Sequence, residues 1–208
     1  MKRLVLCVAL VLFTAHLATS QMTFGGGGQF AISIGMFPDP LKDYYGMGLG
    51  FGGHADANIL KYLTVRLNLD YYTFGFDTKK LADLIAQQSG LAAGTVTMEG
   101  LRSSDFAITI NGLGKIPLSG PVTPYGILGF GLNIMSASDP VVTYQGKDVT
   151  QQAGLGKPEG ATKFGLNFGA GAEYHIAKIK LFFEVKYCLI FTEGKNTSHL
   201  PITIGVTF

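Results

Sequence analysis

From Leu200 to Phe208 every second residue is apolar: Leu200, Ile202, Ile204, Val206 and Phe208 share one face, and Thr203, Gly205 and Thr207 the other. Strict alternation over five or more residues is the signature of a β-strand whose two faces meet different surroundings. The same period returns along the chain. Leu181, Phe183, Val185, Tyr187 and Leu189 alternate with Lys180, Phe182, Glu184, Lys186 and Cys188. Phe164, Leu166, Phe168, Ala170, Ala172 and Tyr174 alternate with a face that carries Lys163, Asn167 and Glu173 among glycines. Leu63, Val65, Leu67, Leu69 and Tyr71 alternate with Thr64, Arg66, Asn68, Asp70 and Tyr72, and Met47, Leu49 and Phe51 alternate with glycines alone. Weaker strands over 29–37, 101–113 and 123–136 bring the number to eight.

The connections fall into two kinds. Those near 60–62, 114–121 and 176–178 are short or modest, whereas 77–100 and 137–161 are the longest. With 38–44 and 192–198, the long ones fall at the same end. Short turns at one end and long loops at the other is the layout of an up-and-down barrel in an outer membrane. Composition supports a chain with unusual surroundings. Only 14% of residues are charged, against roughly 25% in an ordinary soluble domain. A disordered chain needs the opposite balance, and a net charge of +2 cannot form a phosphate-tracking stripe for nucleic acid.

The N-terminus reads as a targeting segment. Lys2 and Arg3 precede an apolar run from Leu4 to Ala15, and Ala18 and Ser20 occupy the −3 and −1 positions of a cut before Gln21. Residues 1–20 are therefore expected to be a secretory signal peptide and 21–208 the barrel. Loss of Lys2 and Arg3 removes the whole charge excess, so the basic balance belongs to the leader. Cys7 is lost with it, and Cys188 alone cannot form an internal disulfide. No later stretch approaches the about 18 consecutive apolar residues that a spanning helix needs.

The two strand faces could be arranged in either sense. In a soluble barrel the apolar face points inward; in a membrane barrel it points to lipid. Glycine crowds the polar face at Gly46, Gly48, Gly50, Gly52, Gly165, Gly169 and Gly171, and an eight-strand barrel has an interior only just wide enough for side chains. Gly25–Gly28 is the exception, outside any expected strand. Tyr45, Tyr71, Tyr174 and Tyr187 fall in the apolar register near strand ends, as interface girdles do. Both points favour lipid outside.

With the leader, the segments VTPYGILGFG (122–131) and FGLNFGAGAEY (164–174), and the alternation ending in Phe208, the chain resembles the OmpA/OmpX-type eight-stranded outer-membrane barrels. The resemblance implies an all-β, eight-stranded antiparallel up-and-down transmembrane β-barrel in a Gram-negative outer membrane. It implies outer-membrane lipid as a partner, and Leu200, Ile202, Ile204, Val206 and Phe208 as the assembly signal met by the barrel insertion machinery. A periplasmic domain is not expected after Phe208, which leans towards barrel-only members.

In that register Arg66, Asp70, Glu173, Lys180, Glu184 and Lys186 point into the lumen, with His54 and Asp56 beside them. Charges in a narrow, partly dry lumen must pair, so an internal ion network that plugs the barrel is expected. A narrow gated pore is the alternative, opposed by Phe182, Tyr125 and Tyr72 on the inner face. A soluble ligand-binding barrel is a more distant third. Residues 79–88 read as a short amphipathic helix in an outer loop, with Leu81, Leu84 and Ile85 on one side and a cap at Asp77 or Thr78. It is expected to fold over the barrel mouth; a contact surface for an unidentified surface ligand or protein is the other reading. The segment 137–160 is expected to be polar and mobile. Catalysis is not expected: Glu193, Ser198 and His199 cluster in one loop, but Ser198 and His199 point to opposite faces of a strand. His175 is expected to be solvated, and scattered histidines offer no metal or cofactor site.

Overall fold

The computed structural model describes residues 22–36, 44–152, 159–194 and 196–208; the leader and the Lys157–Pro158 step lie outside them. Eight strands close into an antiparallel barrel: β1 (Thr23–Met36), β2 (Tyr45–Leu60), β3 (Leu63–Phe76), β5 (Arg102–Lys115), β6 (Val122–Ala137), β9 (Ala161–Ile176), β10 (Ile179–Ile190) and β11 (Thr197–Thr207). Each is a neighbour of the next of these in sequence, and β1 pairs with β11 to complete the ring. A strand tilted in a bilayer needs about 9–11 residues to cross it, and all eight have at least 11.

The apolar face points outward. Leu128 is 71% exposed and Ile204 59%, and Phe30, Leu49, Phe51, Phe130 and Phe168 join them in a belt around the barrel. The opposite face is buried and polar, with Arg66, Asn68, Asp70, Asn111, Glu184 and Lys186 inside. Water would reject the first surface and apolar packing the second. This inversion rules out the soluble ligand-binding barrel.

The seam explains the glycine run that the alternation pattern left out. Gly25–Gly28 is the first half of β1, where Gly27 pairs with Thr207 and Gly28 with Val206. A Cβ on Gly27 would lie 1.7 Å from the Val206 carbonyl oxygen, so β1 can approach β11 only without a side chain there. Phe208 donates its amide to the Gly26 carbonyl at 2.9 Å, extending the ladder to the last residue.

Three further strands lie outside the barrel. β4 (Val96–Glu99), β7 (Val141–Tyr144) and β8 (Lys147–Asp148) form a separate sheet of order β4-β7-β8. Within the segment expected to be mobile, residues 141–148 form a hairpin, turned by Gln145 and Gly146 at φ of 50° and 76°, the left-handed pair that a two-residue turn requires. Helix α1 (Thr78–Gln88) packs on this sheet. Ala82 and Ala86 meet Val96, Met98 and Val142, with Leu81, Ile85, Leu91 and Leu101 around them. The helix therefore covers the loops' own sheet, with Leu101 beside the start of the next barrel strand in the same cluster.

Candidate functional site: a bridged lumen

Arg66 stands at the centre of the lumen, 1% exposed. Its Nε and Nη2 donate to the two carboxylate oxygens of Asp56 at 2.6 and 2.9 Å, and its Nη1 donates to Glu184 Oε1 at 2.7 Å. Tyr125 donates its hydroxyl to the same oxygen at 2.8 Å, and the Phe182 ring lies 4.7 Å from the guanidinium carbon. Only a planar guanidinium can hold one carboxylate in a fork and reach a second. β3 and β10 are four places apart around the eight-strand ring, so Arg66–Glu184 spans the lumen along a diameter.

Other bridges stack along the axis. Towards the long loops, the Lys186 ammonium sits 3.6 Å from Glu184 and 4.0 Å from Asp70, and Gln29 donates to Asp70 from β1. Beside them Asn111 donates to Asn68 at 3.0 Å, and Asn167 to Asn111 at 3.4 Å. Higher still, His199 Nε2 faces Asp105 at 3.9 Å, again across four places in the ring. Its Nδ1 shares a 2.8 Å hydrogen bond with Ser33, and Tyr72 and Phe74 pack edge-on to its ring. At the opposite end Lys115 pairs with Glu173 at 2.9 Å. Polar groups thus meet one another at most levels, which is how a buried charged lumen is stabilised; at the His199 level both Asp105 carboxylate oxygens lack a hydrogen-bond donor.

The outer cap has its own local chemistry. Asp77 caps α1, accepting from the Lys80 amide at 3.1 Å and pairing with its ammonium at 3.2 Å. These contacts hold the Asp77 carboxyl below its ordinary value. Asp148 is held down likewise by the hydroxyl and amide of Thr150, and Glu193 by Lys163 at 2.8 Å.

A family profile described as the outer membrane protein beta-barrel domain matches residues 4–208. The chain belongs to that family. Among solved structures, this outer-membrane barrel is similar to Neisserial surface protein A (NspA), with a TM-score of 0.57, 14% identity, and coverage of 90% of this chain and 97% of that one. It is similar to a major outer membrane protein from Thermus thermophilus, with a TM-score of 0.55, 14% identity, and coverage of 90% and 99%. Ail, the attachment invasion locus protein of Yersinia pestis, gives a TM-score of 0.44 at 13% identity, covering 90% and 97%. No curated protein sequence matches the chain. The family is one of outer-membrane barrels, which places this chain in that membrane.

Within this outer-membrane barrel the sequence-derived residues distribute unevenly. Arg66, Asp70, Glu184 and Lys186 form one connected group, and Glu173 pairs one level away. Lys180 does not join: it is half-buried at the short-turn mouth, with no described carboxylate within ion-pair distance, because its strand position is close to the turn at 177–178. Asp56, Lys115, Tyr125, Gln29 and Asp105 complete the lumen; alternation gives each its face, but cross-lumen pairing depends on strand stagger. His175 is not simply solvated, since its Nε2 lies 3.2 Å from Glu173. Tyr45 leaves the girdle: the pairing of β2 with β3 shifts between Tyr45 and Gly48, and Tyr45 packs on the inner group of Ala31, Tyr72, Phe74 and Ala107. Leu200, Ile202, Ile204, Val206 and Phe208 lie on the outer face. In the cap, Leu81 and Ile85 pack on the α1 core, while Leu84 lines a separate groove with Tyr44 and Leu91. Ser198 and His199 stay apart, Ser198 donating to the Met36 carbonyl at 3.0 Å. The serine that His199 does meet, Ser33, is 0% exposed. No described cluster of three His, Cys, Asp or Glu side chains suits a metal ion.

Proposed function

We propose that this protein is a non-conducting surface barrel: a rigid cylinder whose bridged lumen fixes its shape and whose outer cap supplies a contact surface. The observation that carries this reading is the pair of ionic bridges from β3 to β10, Arg66–Glu184 and Lys186–Asp70, laid across the diameter at successive levels. Phe182, Tyr125 and Tyr72 fill the space between such bridges, all of them buried. A conducting path would have to part oppositely charged groups inside a medium that penalises each one left alone.

In this reading residues 1–20 are removed on export, and the short turns face the periplasm, as in other outer-membrane barrels. The barrel is an OmpX-like member of a Gram-negative envelope. The alternation from Leu200 to Phe208 is offered to the insertion machinery, and lipid covers the apolar belt. The cap, with α1 folded on β4, β7 and β8 above the membrane, meets whatever ligand or protein the surface encounters, since loops on a rigid scaffold commonly carry binding.

Planar-bilayer recording of the purified protein tests the closed lumen. Flat traces at high salt are expected. Stable, salt-dependent steps that change on Glu184→Gln or Lys186→Gln would replace the surface barrel with the gated pore.

A further inference from the structure

The short-turn end of the barrel opens into a cavity of about 500 Å³. Its lining carries Lys61, Lys115, Lys180 and His175 against one carboxylate, Glu173. That carboxylate is already committed, to the Lys115 ammonium at 2.9 Å and to His175 Nε2 at 3.2 Å. Lys61 and Lys180 therefore face the cavity with no described carboxylate within ion-pair distance. Thr123 adds a hydroxyl 3.5 Å from His175 Nε2. Above this level Arg66 and Glu184 close the lumen, so an anion that enters has no onward path. The cavity is a blind, basic bowl.

Two ammonium groups lining one polar hollow from opposite sides of the ring favour an anion with several acceptor oxygens. Leu60 and Leu118 line the same hollow and are themselves exposed, which gives the bowl an apolar lip at the level of the strand ends. We propose that this mouth binds a phosphate group, held by Lys61 and Lys180, with the Lys115–Glu173–His175 cluster as its fixed floor. The phosphate belongs either to an anionic lipid headgroup of the adjoining leaflet or to a soluble phosphate. Conduction through the lumen and binding at the cap have no part in this site.

The test uses the purified barrel in dodecyl maltoside micelles, with backbone amide shifts followed at constant ionic strength. Sodium phosphate is one probe, and dihexanoylphosphatidylglycerol is the other, with dihexanoylphosphatidylcholine as the zwitterionic control. Saturable shifts at Lys61, Thr123, His175 and Lys180 are expected. Saturation by the glycerol lipid alone assigns a headgroup, and saturation by inorganic phosphate assigns the free anion. The Lys61→Gln/Lys180→Gln variant should bind about a hundredfold more weakly, the effect of losing two charge-assisted contacts at about tenfold each. Lys79→Gln/Lys80→Gln on α1 should bind as the parent does. Heat-dependent gel mobility checks that both variants are folded. Shifts that rise linearly with probe, equal responses to chloride or to phosphatidylcholine, or unchanged affinity in the mouth variant would overturn the site.

Discussion

Arg66 satisfies two carboxylates with one guanidinium, so its removal leaves both Asp56 and Glu184 buried beside Phe182 without their counter-charge. Breaking a buried pair by deleting one partner costs about 3–5 kcal/mol. Arg66→Met should therefore lower the unfolding free energy by about that amount, measured by urea titration from lipid vesicles. Arg66→Lys should fall between, because an ammonium cannot fork onto Asp56. A Met variant as stable as the parent would mean that the bridges add nothing. The inward direction of Arg66 was legible from alternation alone; its partners were not. Asp56 lies ten positions earlier on the neighbouring strand, but Glu184 is 118 positions away. Such a contact follows from how far each strand is staggered around the ring, a quantity that period-two patterning does not contain.

At the scale of elements, long regular strands were readable and short ones were not. The five strongly alternating segments have sixteen residues or fewer, yet each offers several apolar positions on one face. β7 and β8 have four and two residues, too few for a period to register. Their turn is Gln145–Gly146, a weaker sequence signal than Asn-Gly, and Val142 is buried among Val96 and Met98 of β4 and Ala82 and Ala86 of α1. Helix α1 was readable because it has a cap, a periodic face and a stop. Its cap also titrates. The Asp77 carboxyl is held down by the Lys80 amide and ammonium, so its ionised form favours the folded helix. That contribution is present at neutral pH and is lost as pH falls through the lowered value, below the ordinary aspartate range of about 3.9. A pH titration of the Lys80 amide shift should show a midpoint below that range, and the Asp77→Asn variant should be flat. A midpoint at or above it would detach the carboxyl from the helix end.

On the whole molecule, the two ends differ in charge as well as in loop length. The short-turn end carries Lys61, Lys115, Lys178 and Lys180 against Glu173, whereas at the cap Asp77, Asp83, Glu99 and Asp148 are interspersed with Lys79, Lys80 and Lys147. Loop length legibly divided the ends in the sequence, and the structure keeps that division. Sidedness follows from it and can be measured in intact cells with a membrane-impermeant maleimide. Lys80→Cys should be labelled and Lys178→Cys should not; Cys188 is buried and leaves the background silent. The reverse pattern would turn the molecule over. The diametric bridges carry one more consequence, for assembly. Arg66 is placed early in the chain and Glu184 near its end, on opposite sides of the ring that the seam between β1 and β11 closes. A seam displaced by one residue turns the inner face of β11 and β10 towards lipid. Displacement by two keeps the faces but moves the partners about 7 Å apart along the strand. The lumen therefore works as a proofreader of closure, rewarding a single register out of all those that the backbone ladder alone would accept.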